Sequence, residues 1–367
     1  MSSKSSVLNI PFRQRLGLEI FRKYRKNETT RHKLNYLFWE CTLRCNLNCK
    51  HCGSDCHKDV QQKDMPMQDF LSTLDKITPH VTPNKTIVVI TGGEPLMRKD
   101  LEECGREIIK RGYPWGMVTN GLFLTRERLL SLLEAGLHAI TISLDGFQES
   151  HNEMRRNKES FQCATHAIKM LSVVNGLAFD VVTCVTPKNI SELPKLKEFL
   201  IEIGVKEWRL FTVFPIGRAA ENQELQLTAA EFKSVFDFVE ETKKEGRIVL
   251  NYGCEGFLGR YESKVRDSFF FCRAGVTVGS ILNDGSISAC PNLRKNFIQG
   301  NIYQDDFMTV WNNKYQLHRD RSWAKKGECE DCKYFRYCEG NGLHLRDEEN
   351  NLLFCHLKRI QEGEIEL

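Results

Sequence analysis

Three cysteines fall within one run of eight residues, Cys45-Asn46-Leu47-Asn48-Cys49-Lys50-His51-Cys52. Gaps of three and then two residues let one loop curl around a cuboidal iron–sulfur cluster, each thiolate on a different iron. Three thiolates leave one iron without a protein ligand, and an open coordination position distinguishes a reactive metal from a closed structural one. Structural zinc is the other reading of these thiols. It needs a fourth ligand, which Cys41, Cys56, His51 or His57 could supply. Downstream, Thr91-Gly92-Gly93-Glu94-Pro95 joins two residues without side chains, which permit close backbone approach, to a carboxylate suited to an ammonium group. Ser143-Leu144-Asp145-Gly146 and the Arg155-Arg156 pair add a hydroxyl, an acid and a guanidinium fork that matches a carboxylate.

A second thiol set lies near the C-terminus: Cys254, Cys272, Cys290, Cys329, Cys332, Cys338 and Cys355. On spacing alone, Cys329, Cys332, Cys338 and Cys355 could bind zinc. The chain holds 15 cysteines, and all but Cys104, Cys163 and Cys184 lie in these two groups or flank the first. Those three fall on predicted helices or a strand and read as packing thiols. A secreted disulfide scaffold is excluded by length and by the lack of an apolar export signal. Such a thiol load implies a reducing cytoplasm. No apolar run approaches the roughly 18 residues of a membrane span, and no nucleic-acid motif is present.

The elements that must position these groups follow from periodicity. The chain has 367 residues, 41% apolar and 27% charged, enough for a large core and more than one domain. Short strand-like runs at 34–41, 86–91, 115–119, 138–143, 179–185 and 208–213 alternate with amphipathic helical segments near 67–77, 101–111, 126–135, 161–174 and 193–203. Six such βα repeats imply a parallel sheet covered by helices, an open partial barrel with its site at the C-terminal strand ends. Thr228-Ala229-Ala230-Glu231 reads as a capping box opening a helix to about Lys244. Past residue 252 the texture becomes Gly-, Asn- and Cys-rich with short strands, such as 277–282 before the Asn283-Asp284-Gly285 turn. The expected division is a basic extension (1–33), a barrel (34–218), a linker helix (219–250) and a small Cys-rich α+β domain (251–367). The net charge of +4 hides an asymmetry: residues 1–33 carry nine Lys/Arg against two Asp/Glu, and the remainder is net negative. In that extension Leu16, Ile20, Phe21 and Tyr24 at helical spacing predict a helix packed on the body, its basic face in solvent. Contact with an acidic peptide, a reductase or a membrane surface is the alternative.

CxxxCxxC after a first strand, Gly-Gly-Glu after the second, Thr119-Asn120-Gly121 after the third and Ser-Leu-Asp-Gly after the fourth together resemble the radical S-adenosylmethionine (SAM) enzymes, over residues 34–218. The resemblance implies that Cys45, Cys49 and Cys52 ligate a SAM-binding 4Fe–4S cluster. It implies cofactor-binding roles for Gly92, Gly93, Glu94, Ser143, Asp145 and Arg155. The C-terminal series resembles the SPASM extension of these enzymes, which typically holds two auxiliary 4Fe–4S clusters. By position, Cys329, Cys332, Cys338 and Cys355 would ligate the outer one, and Cys254, Cys272 and Cys290 the inner one. Gly342 stands where the family commonly has a further cysteine, so His344, Glu339 or Asn341 substitutes, or one iron stays open. The implied activity is reductive SAM cleavage and hydrogen abstraction from a peptide or protein, with C–C or C–S bond formation, fed by a flavodoxin- or ferredoxin-like donor. Alternatives are dehydrogenation of a small molecule, tetrapyrrole modification, or a non-catalytic metal-binding protein.

Overall fold

The computed structural model describes residues 6–253 and 255–366. One ten-stranded sheet runs through both halves of the chain. Its first six strands are β1 (Tyr36–Thr42), β2 (Ile87–Gly92), β3 (Trp115–Thr119), β4 (Leu137–Ser143), β5 (Ala178–Val185) and β6 (Glu207–Thr212). They pair in chain order and all in parallel. The order matches the alternating pattern of the sequence, and the reason is burial. Crossover helices cover the sheet, so its strands read as apolar runs rather than strict alternations.

The connecting helices are α1 (Phe12–Arg31), preceding the sheet, then α2 (Met67–Ile77), α3 (Leu101–Lys110), α4 (Arg126–Glu134), α5 (Gln148–Arg155), α6 (Ser160–Leu171) and α7 (Leu193–Glu202). Phe70 of α2 stacks on Trp39 of β1, ring centroids 4.2 Å apart. Trp115 and Trp208 are fully buried, each with its indole N–H satisfied, by Ala135 O at 3.0 Å and Thr183 Oγ1 at 2.9 Å. α5 was not expected. It is polar apart from Met154, so it has no apolar stripe to announce it, and it carries residues of the site.

α8 (Ala229–Glu245) begins with the expected capping box, Thr228 Oγ1 accepting from Glu231 N at 3.2 Å and Glu231 Oε2 accepting from Thr228 N at 2.8 Å. Beyond it the structure departs from a linker between separate units. β7 (Val249–Tyr252) adds in parallel to β6. β8 (Val278–Ile281) joins the opposite edge, parallel to β1, and β9 (Ser286–Ser288) and β10 (Gly300–Asn301) extend it antiparallel. The Cys-rich half therefore completes the barrel sheet. Glu40 of β1, 1% exposed, reinforces the join by pairing with Arg294 and accepting from Asn283 N at 3.1 Å. α9 (Phe307–Asn313), α10 (Gln316–Arg319) and α11 (Phe335–Cys338) are short, and α12 (His356–Ile365) packs back on α8.

α1 forms as expected, with a different face inward. Leu18 and Arg25 are its buried residues. Arg25 donates to Tyr337 O at 2.6 Å and to Glu339 at 2.7 Å, and Phe21 packs on Phe269 and Phe271. Phe12, Leu16, Ile20 and Tyr24, four residues apart, face outward at 51–74% exposure among Arg13, Arg15, Lys23 and Lys26. Among the described residues, no helix is long and apolar enough to cross a membrane.

Candidate functional site

β1 ends at Thr42, and the loop that follows carries Cys45, Cys49 and Cys52. Backbone bonds hold it: Cys45 N to His57 O at 3.1 Å, Lys50 N to Met154 O at 2.9 Å and Cys52 N to Cys49 O at 3.4 Å. Cys45 and Cys49 are buried and Cys52 is partly open, all packed with Leu43, Leu47, Cys56 and Leu122. Burial pushes the Cys45 thiol up to about 12, with the neighbouring thiols adding to it. It also raises Cys49, against the pull of Arg155. Cys52 moves the other way, to about 5, because it accepts a hydrogen bond from Cys56. Three soft sulfur donors on one short loop fit an iron–sulfur cluster by donor chemistry.

The Gly-Gly-Glu turn at the end of β2 lies directly on this loop. Gly93 N donates to Thr42 O at 2.8 Å and Glu94 N to Arg44 O at 2.9 Å. A Cβ on Gly92, whose φ is +140°, would fall 2.1 Å from Thr42 O, and one on Gly93 2.2 Å from Arg44 O. Both positions demand glycine because two backbones touch there. The Glu94 carboxylate is 1% exposed, and accepts from Thr119 Oγ1 at 2.7 Å, Leu96 N at 3.0 Å and Asn120 N at 2.9 Å. Those three bonds make Glu94 a tie between the β2 turn and the β3 turn. Asn120 continues the tie, its Nδ2 donating to Asn46 Oδ1 at 2.8 Å, inside the cysteine loop.

Asp145 and Arg155 form a buried ion pair, Nε to Oδ2 at 2.7 Å, and Asp145 Oδ1 accepts from Cys184 N at 3.0 Å. Arg155 holds the Asp145 carboxylate down near 2 against the effect of burial. Arg155 Nη1 reaches Cys49 Sγ at 3.8 Å, whereas Arg156 is exposed at the end of α5, so Arg155 is the arginine that faces the loop. Arg155 Nη2 makes no hydrogen bond among the described residues. His151 fixes this corner: Nδ1 accepts from Asp145 N at 2.9 Å and Nε2 pairs with Ser160 Oγ at 2.9 Å. Burial lowers its pKa to about 3, keeping it neutral. Ser143, half-buried at the end of β4, lies two residues before Asp145.

Three residues without a motif to mark them are part of the site. Cys184, expected as a packing thiol, lies with its sulfur within 4.8 Å of ligand atoms of Asp145 and His51. Arg218, on the loop after β6, donates from Nε to Cys49 O at 2.8 Å and from its Nη groups to Cys56 O at 3.2 Å. Nothing in a lone loop arginine signals that role. Lys50 pairs with Glu153 of α5 at 2.7 Å.

In the C-terminal half the thiols of Cys329, Cys332, Cys338 and Cys355 come together: Cys329 and Cys332 both raise Cys355, and Cys329 and Cys355 both raise Cys338. Four thiols on one cage fit a closed cuboidal cluster. Cys272 and Cys290 are half-buried beside β8 and β9, and Cys254 lies outside the described residues. A cleft of about 320 Å³ opens between the end of β6 and this region, lined by Thr212, Gln226, Phe232, Phe354, Cys355 and Arg359. Gln226 Nε2 and Arg359 Nε are buried there without a hydrogen-bond partner among the described residues.

Residues 39–200 match the family model described as Radical SAM superfamily, and residues 272–333 match SPASM, an iron–sulfur cluster-binding domain. The AdoMet-dependent heme synthase of Oleidesulfovibrio alaskensis is 27% identical, over 84% of this chain and 85% of that protein. The mycofactocin maturase MftC of Mycolicibacterium smegmatis is 28% identical over 83% of this chain and 76% of that one. Among solved structures, native anSMEcpe with bound AdoMet and Cp18Cys peptide superposes with a TM-score of 0.68 at 20% identity, covering 91% of this chain and 96% of that one.

Proposed function

We infer, from the family-model matches over residues 39–200 and 272–333, that the chain is a radical SAM enzyme with a SPASM domain that takes S-adenosylmethionine and 4Fe–4S clusters as cofactors. From that premise we propose that it generates a radical at the Cys45–Cys49–Cys52 loop and modifies a peptide or protein substrate. The observation that carries the radical site is the convergence of that loop, the Gly-Gly-Glu turn and Arg155 at the C-terminal ends of β1, β2 and β4. Cys45, Cys49 and Cys52 would hold a 4Fe–4S cluster by three thiolates. Once loaded, the site supplies reductive cleavage of SAM and hydrogen abstraction from an unactivated C–H bond.

The protein's own residues bind and orient. Arg155 offers Nη2 to the SAM carboxylate while Asp145 fixes its plane, which makes Asp145 a positioning residue. Ser143 offers a hydroxyl beside it. Glu94 Oε2, which accepts a single bond within the fold, and the backbone of Gly92 and Gly93 offer acceptors to the SAM amine. Arg218 and Lys50 keep the cysteine loop closed. Cys329, Cys332, Cys338 and Cys355 hold the outer auxiliary cluster, and Cys254, Cys272 and Cys290 the inner one. A reducing cytoplasm and a small one-electron donor protein complete the setting.

The peptide reading draws support from the similarity to a mycofactocin maturase. A second reading, tetrapyrrole modification, is favoured by the similarity to AdoMet-dependent heme synthases over 84% of the chain. The cleft beside Cys355, lined by Phe232, Phe354, Gln226 and Arg359, is the candidate substrate surface under either reading. Anaerobic reconstitution tests the core of the proposal. Three clusters predict about twelve irons per chain and dithionite-dependent 5′-deoxyadenosine. Fully loaded protein that makes none sinks the radical assignment. Turnover of an iron coproporphyrin, with none of Cys- or Gly-rich precursor peptides encoded nearby, would replace the peptide reading with the tetrapyrrole one.

A further inference from the structure

The inner side of α1 is bound to the C-terminal half of the chain. Gln14 Nε2 donates to Glu262 O at 2.6 Å, and Arg25 donates to Arg336 O at 3.0 Å and Tyr337 O at 2.6 Å. Tyr337 Oη donates to Glu19 at 2.7 Å, and Tyr334 Oη, beside it, to Leu8 O at 2.6 Å. These bonds clamp the helix onto α11, whose last residue is Cys338, one of the four thiols assigned to the outer auxiliary cluster.

The outer side is bare. Phe12, Leu16, Ile20 and Tyr24 form a row about 18 Å long, each 51–74% exposed. Every exposed charged side chain on the helix is a cation: Arg13, Arg15, Arg22, Lys23, Lys26 and Arg31. The two acids of the helix, Glu19 and Glu28, are half-buried, and Glu19 is engaged by Tyr337 and Arg336. An apolar row flanked by cations fits a protein that is acidic around an apolar patch. A second copy of this chain would set cation against cation. A bilayer takes a helix with a broad apolar sector, whereas this row is one side chain wide. Neither occupant explains why the face lies over the segment that carries Cys338. A carrier of electrons does, because the width of one helix, about 10–12 Å, separates the outer face from that segment.

We propose that the outer face of α1 is the docking site of an acidic one-electron carrier protein, which delivers its electron to the outer auxiliary cluster held by Cys329, Cys332, Cys338 and Cys355. The acceptor is the cluster of the proposed function, and the assignment rests on it. One electron leaves the carrier's flavin or iron–sulfur centre, which is oxidised, and the outer cluster is reduced; no bond forms or breaks. The cations steer the carrier toward the face, and the apolar row holds it there.

The probes are a flavodoxin and a plant-type 2Fe–2S ferredoxin, offered to the anaerobically reconstituted full chain. Kd is read by calorimetry, and 5′-deoxyadenosine is read with either the reduced carrier or dithionite. Binding should weaken as salt rises. R13E/K23E/K26E should weaken it about tenfold or more, and L16A/I20A/Y24A should weaken it at any salt. K169E/K195E/K206E makes the same change of net charge on exposed residues of α6, α7 and the turn before β6, and should bind as the parent does. Iron content and dithionite-driven product should be unchanged in all three. In C45A/C49A/C52A the reduced carrier should still bleach the remaining cluster absorbance, about tenfold more slowly once R13E/K23E/K26E is added.

Carrier binding that is unchanged in the α1 variants, or lost equally in K169E/K195E/K206E, overturns the site. Bleaching that requires the Cys45 loop overturns the route through the outer cluster. Phosphatidylglycerol vesicles that bind the parent but not R13E/K23E/K26E, with carrier binding intact, give the face to a membrane instead. A parent that makes product with dithionite and binds neither carrier refutes the docking face and spares the radical reading. Carrier binding lost only in the α1 variants, in a chain that makes no product with any reductant, supports the face and sinks the radical reading.

Discussion

The two thiol regions are built in opposite ways. The front loop packs three cysteines into eight residues between a central strand and a helix, and protein groups hold it from several sides: Gly93 and Glu94 through backbone, Asn120, Arg155, Arg218 and Lys50 through side chains. The C-terminal cysteines are spread over about a hundred residues, on turns and helices of four residues such as α11. The first region is a site the sheet has already organised. In the second, far more of the order has to come from the metal, because short irregular segments carry few internal hydrogen bonds of their own. The difference fits the chemistry. A reacting centre gains from a rigid mould, whereas a cluster closed by four protein ligands supplies its own cross-link.

The comparison breaks most sharply on the cysteines themselves. C45A/C49A/C52A should reduce 5′-deoxyadenosine to background while the C-terminal half keeps its iron, measured by product assay and iron analysis on one sample. Loss of all iron would mean that the two regions do not load independently. Chelation of the metals should produce the next largest contrast. Hydrogen exchange is expected to rise strongly over 254–355 and little over β1–β6, and equal loss of protection in both would erase the distinction. Arg155→Ala strips the buried Asp145 carboxylate of its partner, and breaking such a pair costs about 3–5 kcal/mol. Denaturant unfolding of the metal-free chain should show that loss, and Asp145→Asn combined with Arg155→Ala should recover part of it.

The smallest effect is one of pH. His151 has its pKa lowered to about 3 in the fold, against about 6.5 in an unfolded chain. Between those values the unfolded state holds one more proton, so stability rises with pH across that window and is lost as pH falls through it, by up to about 1.4 kcal/mol per unit. Metal-free protein should be less stable at pH 5 than at pH 7, and His151→Gln should reduce that slope by one proton's worth. An unchanged slope would mean that His151 is not held neutral between Asp145 and Ser160.

Much of this was legible because local pattern and burial agree. Each of β1–β5 is a largely apolar run ending in a polar turn, and the Thr228–Glu231 capping box is a four-residue signal that needs no tertiary context. The cysteine loop was readable for the same reason, since its ligands are close in sequence. What escaped depends on partners far away in the chain. The edge strands β7, β9 and β10 are two to four residues long, too short to show alternation, and although the run 277–282 reads as a strand, nothing in it says that it will find its edge on β1. α1 shows apolar residues at helical spacing, but spacing does not say which face finds a partner, and Leu16, Ile20 and Tyr24 remained outside. The carboxylates of Glu94 and Asp145 were identified by type. Only coordinates reveal which donors their oxygens accept from within the fold.

The shared sheet has a consequence for anyone dividing this protein. β8 covers the edge of β1, and Arg294 pairs with the buried Glu40. A fragment ending near residue 218 would keep every residue proposed to touch SAM, and would also bare a row of unpaired N–H and C=O groups on a long central strand, a template for joining other chains. The barrel is separable as chemistry and inseparable as a folding unit. Expressed alone, it should be found in aggregates rather than as a smaller enzyme.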